Sequence, residues 1–272
     1  MLTLLGTVAL AGCGLMLLIY LLQDRLIFYP QQLDASTAQI LQRNVPRTEA
    51  FELAVEGNAV RLRGWFISAE SSGPSPLLIY FGGNAEEVSW LLPELTRLHG
   101  WAVLLVNYRG YGLSEGSPSE AALQRDALAL YDNVAQRSGV DPERIVIMGR
   151  SLGTGVSTYL ASQRPVAGVV LVSPFDSLIE VASAVYPFLP VRLLLRHRFE
   201  SVAHAPAINT PLLALAAKHD TLIAPERSRR LVQAWGGPAR LELLDGADHN
   251  TIHVHPQYWT LIGQFLGRIA AK

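Results

Sequence analysis

Cysteine is nearly missing from this 272-residue chain. Cys13 stands alone, so no intramolecular disulfide can form and zinc sites built on several cysteines are excluded. Charge is sparse as well: Asp, Glu, Lys and Arg make up 17% of the residues, against about 25% in ordinary soluble domains. The 22 basic and 23 acidic residues leave a formal charge of -1, and no long run of either sign offers a polyanion a footing, which excludes nucleic acid as a partner. Internal repeats and low-complexity tracts are absent too. What the chain has in quantity is apolar surface. Hydrophobic residues make up 50%, which excludes a disordered chain and points to membrane or lipid contact. The length suits one large domain or two small ones and allows a deep core with an enclosed pocket.

Much of the apolar excess lies at the start. Leu2 to Leu22 carries no charge, and at about 1.5 Å per residue such a helix matches a hydrocarbon layer of roughly 30 Å. Tyr20, Asp24 and Arg25 fall where an interface should begin. Residues 1–23 therefore read as a single transmembrane anchor and 24–47 as a linker with a short helix around Ala35 to Arg43. The rival is a lipoprotein signal, because Leu10-Ala11-Gly12-Cys13 has the small residues that precede a lipidated cysteine. Against it, no basic segment precedes the apolar run, and the run continues past Cys13 to Leu22. Arg25, Arg43 and Arg47 follow the span, which leans toward a cytoplasmic globular domain.

Beyond the linker, runs rich in β-branched and aromatic residues predict eight strands: Phe51–Val55, Val60–Ile67, Leu77–Phe81, Trp101–Val106, Arg144–Met148, Val166–Val172, Leu212–Ala216 and Leu241–Leu244. Helical spacing recurs at Ala85–Leu98, Ser119–Arg137, Leu152–Gln163, Pro225–Trp235 and Pro256–Ile269. Alternation of wholly apolar strands with helices predicts an α/β fold: a mostly parallel eight-stranded sheet covered on both faces, with the first two strands as an antiparallel hairpin at one edge. Residues 174–210 interrupt the rhythm. Their length and apolar content predict a small helical lid over the carboxyl edge of the sheet.

Functional groups in such sheets collect on the loops after strands. After Ile145-Val146-Ile147-Met148 comes Gly149-Arg150-Ser151-Leu152-Gly153 and then a helix-forming stretch, the context in which Gly-x-Ser-x-Gly carries meaning. A serine projecting from so sharp a turn needs flanking residues without Cβ. It also needs a base and an orienting carboxylate, expected downstream at strand ends in the order acid, then histidine. Asp220 follows one strand as the orienting carboxylate and His249 follows the next as general base and acid; Asp176, Asp245 and Asp248 are poorer acids. His249, His253 and His255 lack the carboxylate spacing of a metal site. The oxyanion donors are expected to be the backbone N–H of Leu152, immediately after Ser151, and that of Asn84 in Gly82-Gly83-Asn84-Ala85, with Gly83 as fallback. In Asn107-Tyr108-Arg109-Gly110-Tyr111-Gly112, Arg109 reads as a tie between loops rather than a substrate contact.

With these residues the sequence resembles the α/β-hydrolase fold family, and within it membrane-anchored serine hydrolases that include protein depalmitoylases. The likeness runs from about Phe51 to Ile269 and makes 48–272 the hydrolase domain. It rests on Phe81-Gly82-Gly83-Asn84-Ala85, Asn107-Tyr108-Arg109-Gly110-Tyr111-Gly112, Gly149-Arg150-Ser151-Leu152-Gly153, His219-Asp220 with Pro225, and Asp248-His249. It implies Ser151, Asp220 and His249 as a triad, Leu152 and Asn84 at the oxyanion, and no cofactor. Relatives usually have His-Gly-Asn where this chain has Gly82-Gly83-Asn84. The expected activity is hydrolysis of a carboxylic ester or thioester, of a small molecule or an acylated substrate, through an acyl-serine. A serine peptidase is the enzymatic alternative and a noncatalytic receptor or scaffold the alternative of another class.

Overall fold

A computed structural model describes residues 2–71 and 73–271; Met1, Ser72 and Lys272, which belong to the expected ranges 1–23 and 48–272, lie outside the described residues. Eight strands share one sheet: β1 (Thr48–Val55), β2 (Val60–Ile67), β3 (Ser75–Phe81), β4 (Ala102–Val106), β5 (Val140–Arg150), β6 (Gly168–Val172), β7 (Leu212–Ala217) and β8 (Ala239–Leu244). Their spatial order is β1-β2-β4-β3-β5-β6-β7-β8. The β1–β2 hairpin pairs antiparallel within itself and with β4, and every other pairing is parallel. Central strands β3, β4, β6 and β7 are buried at every position, which is why they show no in/out alternation. Their two faces support separate apolar layers. Leu77, Ile79, Leu104, Ile147 and Leu171 face one, and Leu78, Tyr80, Val103, Met148 and Val170 face the other.

The helices are α1 (Leu2–Ile27), α2 (Ala35–Asn44), α3 (Leu92–Leu95), α4 (Glu120–Val134), α5 (Leu152–Gln163), α6 (Leu178–Val185), α7 (Val191–Leu194), α8 (Ser201–His204), α9 (Pro225–Ala234) and α10 (Tyr258–Ala270). Side-chain oxygens of Asp34, Ser119 and Ser177 accept the N–H of Thr37, Ala122 and Glu180, which sets the starts of α2, α4 and α6. Two expectations need correction. The segment Ala85–Leu98 is not one helix: Ala85 takes φ 54°, and only a 3₁₀ turn at Val88–Leu91 and the single turn of α3 form. The apolar helix also runs past residue 23, so the first residues of the expected linker, to Ile27, are helical. Asp24 stays helical because it pairs with Arg196 at 2.8 Å and with His197 at 2.7 Å, and Arg25 suits the negative end of the helix.

Residues 174–210 carry the short helices α6, α7 and α8, so this segment is helical and irregular as expected for a lid. Glu120 at the start of α4 anchors its far end, accepting the N–H of Arg198 (2.6 Å) and of Phe199 (2.8 Å). Arg109 ties loops together: it forms a paired contact with Asp126 in α4 (2.5 and 2.7 Å) and reaches Glu56 in the β1–β2 turn at 3.0 Å.

Candidate active site

The carboxyl end of β5 runs directly into α5, and the single residue between them is Ser151. Its φ of 49° is the left-handed value a sharp strand-to-helix turn demands, and its N–H is secured to the Val172 carbonyl at 2.9 Å. Both flanking glycines are required by close approach. A Cβ on Gly149 would lie 2.3 Å from the Gly153 carbonyl oxygen, and one on Gly153 would lie 2.1 Å from that of Phe81. The turn lifts the Ser151 hydroxyl toward the loops after β7 and β8.

His249, in the loop after β8, places Nε2 3.1 Å from Ser151 Oγ and Nδ1 2.8 Å from Asp220 Oδ2. Asp220, after β7, is itself held. Its Oδ1 accepts the N–H of Leu222 (2.9 Å) and of Ile223 (2.7 Å), and its side chain is only 1% exposed. The other acids near this order are engaged elsewhere. Asp245 pairs with Lys218 and His219, Asp176 with Arg227, and Asp248 accepts the N–H of Asn250 and Thr251, which shapes the turn carrying His249.

On the other side of Ser151 the loop after β3 is organised by a buried acid. Glu86 accepts from the Gly83 N–H (2.6 Å), the Tyr80 hydroxyl (2.6 Å), the Trp90 indole (3.2 Å) and Arg150 (3.0 Å). Burial and the charge of Glu86 push the Tyr80 phenol well above its ordinary range, so it stays a neutral donor. Burial works against the charge on Arg150, but Glu86 together with the Tyr80 and Tyr258 phenols outweighs it and the net direction is upward. Because Gly83 N–H is committed to Glu86, the fallback donor is unavailable to a ligand. Among the described residues nothing accepts the N–H of Asn84, and that of Leu152 lies in the first turn of α5, where helical donors have no intrahelical acceptor. Asn84, Ser151 and Leu152 share a cavity of about 210 Å³ whose apolar wall includes Phe175 and Leu178 of the lid segment.

Sequence reasoning missed four participants. Glu86 lies inside the expected helix Ala85–Leu98 and Arg150 is the variable residue of the Gly-x-Ser-x-Gly pattern, and the sequence assigns a role to neither. Leu26 and Ile27 fall in the expected linker 24–47, yet they line the same cavity as Ser151. The Asn84 side chain makes the connection: its amide donates to the Ile27 carbonyl at 2.5 Å and its Oδ1 accepts the Tyr29 N–H at 3.0 Å. The adjacent Phe-Gly-Gly-Asn pattern was the only local signal.

A family model described as alpha/beta hydrolase fold matches residues 76–199. Over 246 residues the chain is 37% identical to an uncharacterized protein of Mycobacterium tuberculosis, covering 89% of this chain and 86% of that one. It is 31% identical over 215 residues to an uncharacterized membrane protein of Saccharomyces cerevisiae, with 76% and 75% covered. Among solved structures, the Pyrococcus furiosus esterase Pf2001 superposes with a TM-score of 0.64 at 22% identity, covering 89% of this chain and 99% of that one, a likeness of fold. The chain belongs to the α/β-hydrolase fold family, whose matched model and neighbours are consistent with hydrolase activity of an esterase-like kind. One helix near the N-terminus, over Leu10–Ile27, is long and apolar enough to cross a membrane.

Proposed function

We propose that this protein is a membrane-anchored serine hydrolase that cleaves a carboxylic ester or thioester through an acyl-serine intermediate. The observation that carries the reading is the unbroken line from Ser151 Oγ through the His249 imidazole to Asp220. Nε2 takes the hydroxyl proton as Oγ attacks the acyl carbon, while the Nδ1–H donates to Asp220, which fixes the tautomer and steadies the imidazolium. The N–H groups of Leu152 and Asn84 receive the developing oxyanion, helped by the positive end of α5. Nε2 then returns its proton to the departing alcohol or thiol. In the second half Nε2 takes a proton from water as the water oxygen attacks the acyl carbon, and Oγ leaves carrying that proton.

The length and apolar character of α1, together with the yeast membrane relative, support attachment to the bilayer through this helix. Within this reading the likeness to protein depalmitoylases makes a long-chain thioester the first substrate class to assay. The test is labelling with a small fluorophosphonate. The folded wild-type protein is expected to take label and Ser151→Ala to lose it; a folded wild type that takes none defeats the enzyme reading.

A further inference from the structure

The cavity at Ser151 is not isolated. It shares Leu26, Ile27, Ala182, Tyr186 and Leu195 with a second cavity of about 310 Å³ that runs outward between α1 and the lid. The outer cavity is walled by Ile19 and Gln23 on the helix side and by Leu189 and Leu194 on the lid side. From Ile19 to Ile27 the helix supplies about 12 Å of wall. The two faces are fastened by specific bonds: Gln23 donates to the Leu194 carbonyl (3.1 Å) and accepts the Arg196 N–H (2.7 Å), and Asp24 pairs with Arg196 and His197. Apolar surface continues outside. Phe188 and Leu193, in the lid segment that packs against α1, are 78% and 85% exposed, and Leu21 and Leu22 of the helix are exposed as well.

We infer that the groove between the last turns of α1 and the lid is the acyl-chain pocket of this enzyme, so that the membrane helix is a wall of the substrate site as well as an anchor. The inference rests on the acyl-serine reading above and adds to it where the chain lies. The occupant is a long unbranched acyl group whose carbonyl sits at Ser151 and whose tail follows α1 outward. The five residues common to the two cavities argue for this occupant: the cavities abut, and an acyl chain on Ser151 that extends past the inner one meets an apolar path along α1. A helix suited to lipid forms one side of that path, so a chain can pass into it from the bilayer without crossing water.

The full-length protein in vesicles tests this. Each added methylene that enters an apolar pocket should raise kcat/KM about fourfold, so palmitate should exceed octanoate and octanoate butyrate among nitrophenyl esters. Leu189→Trp and Ile19→Trp, which obstruct only the outer cavity, are expected to lower the palmitate-to-butyrate ratio of kcat/KM at least tenfold. A palmitoyl glycerol in the vesicle and a palmitoyl thioester on a soluble peptide separate the two sources of chain; loss in either arm with the variants supports the groove. A second readout needs no variant. A long-chain alkyl fluorophosphonate with a terminal diazirine, once on Ser151, should cross-link to peptides spanning 19–27 or 186–195. Fluorophosphonate labelling with an unaltered chain-length ratio in both variants, or cross-links confined to other peptides, overturns the groove while leaving the hydrolase reading standing; absence of any label defeats the hydrolase reading itself.

Discussion

Arg150 Nη2 lies 3.4 Å from the His249 carbonyl oxygen, so the residue just before the proposed nucleophile holds the backbone of the proposed base. Its Nη1 reaches Glu86 at 3.0 Å, and Glu86 in turn takes the Gly83 N–H. One guanidinium thus joins the loops on both sides of Ser151. Replacing it leaves a carboxylate that is 4% exposed without its cation, which costs about 3–5 kcal/mol. Arg150→Met is expected to lower the urea midpoint accordingly and to reduce kcat more than it raises KM. A variant of wild-type stability and kcat refutes the role.

Asp220→Asn should keep the fold, because an amide oxygen can still accept from Leu222 and Ile223. The imidazole then loses the partner that fixes its tautomer, and kcat should fall by roughly four orders of magnitude with the melting temperature nearly unchanged. Near-normal turnover moves the carboxylate role to another acid.

Gly153→Ala places a methyl 2.1 Å from a carbonyl oxygen of β3, a backbone atom that cannot rotate aside. Destabilisation of at least about 1–3 kcal/mol is expected, together with loss of fluorophosphonate labelling. Calorimetry and gel labelling on the same preparation check both.

Asn84→Ala retains the backbone N–H proposed for the oxyanion and removes the side-chain bonds to Ile27 and Tyr29. The Tyr29 N–H keeps the Tyr111 hydroxyl at 3.1 Å, whereas the Ile27 carbonyl loses its donor, which should cost about 1–3 kcal/mol. Limited proteolysis is expected to cut between residues 27 and 34 faster than in wild type. Unchanged cleavage there means that the clamp does not hold α1.

Asp248 is held below its ordinary value of 3.8, first by the Thr251 hydroxyl and then by the N–H of Thr251 and Asn250. A depressed carboxylate contributes its stability above the ordinary value and loses it as pH falls through the lower, folded one. The melting-temperature gap between wild type and Asp248→Ala should therefore be constant from neutral pH down to about 5 and close only below 3.8. A gap that closes near neutral pH assigns the effect to another group.

The sheet was legible because its strands are wholly apolar and separated by helical periods, and the Gly149–Gly153 turn was legible because one strand and one helix bracket it. Asp220 and His249 followed from strand order alone. Glu86 was not legible, since its partner Arg150 lies 64 positions away and nothing local marks an acid as buried. The Ala85–Leu98 helix was misread because its spacing suits a helix, whereas Glu86 is turned inward by four donors and Ala85 is bent out of the helical region. The end of α1 was hidden for a similar reason. The bond from Ile27 to Asn84 spans 57 positions, and charged Asp24 resembles a stop signal until its partner Arg196 is known.

The clamp between Asn84 and Ile27 sets solubility against competence within a few residues of chain. A body cut after Phe28 loses the apolar helix, and with it the Ile27 carbonyl that takes the Asn84 amide and the Asp24 carboxylate that pairs with Arg196 and His197, while the Tyr29 N–H stays bonded to Asn84. On the reading proposed above, a truncated form that still works must keep the final turn of α1.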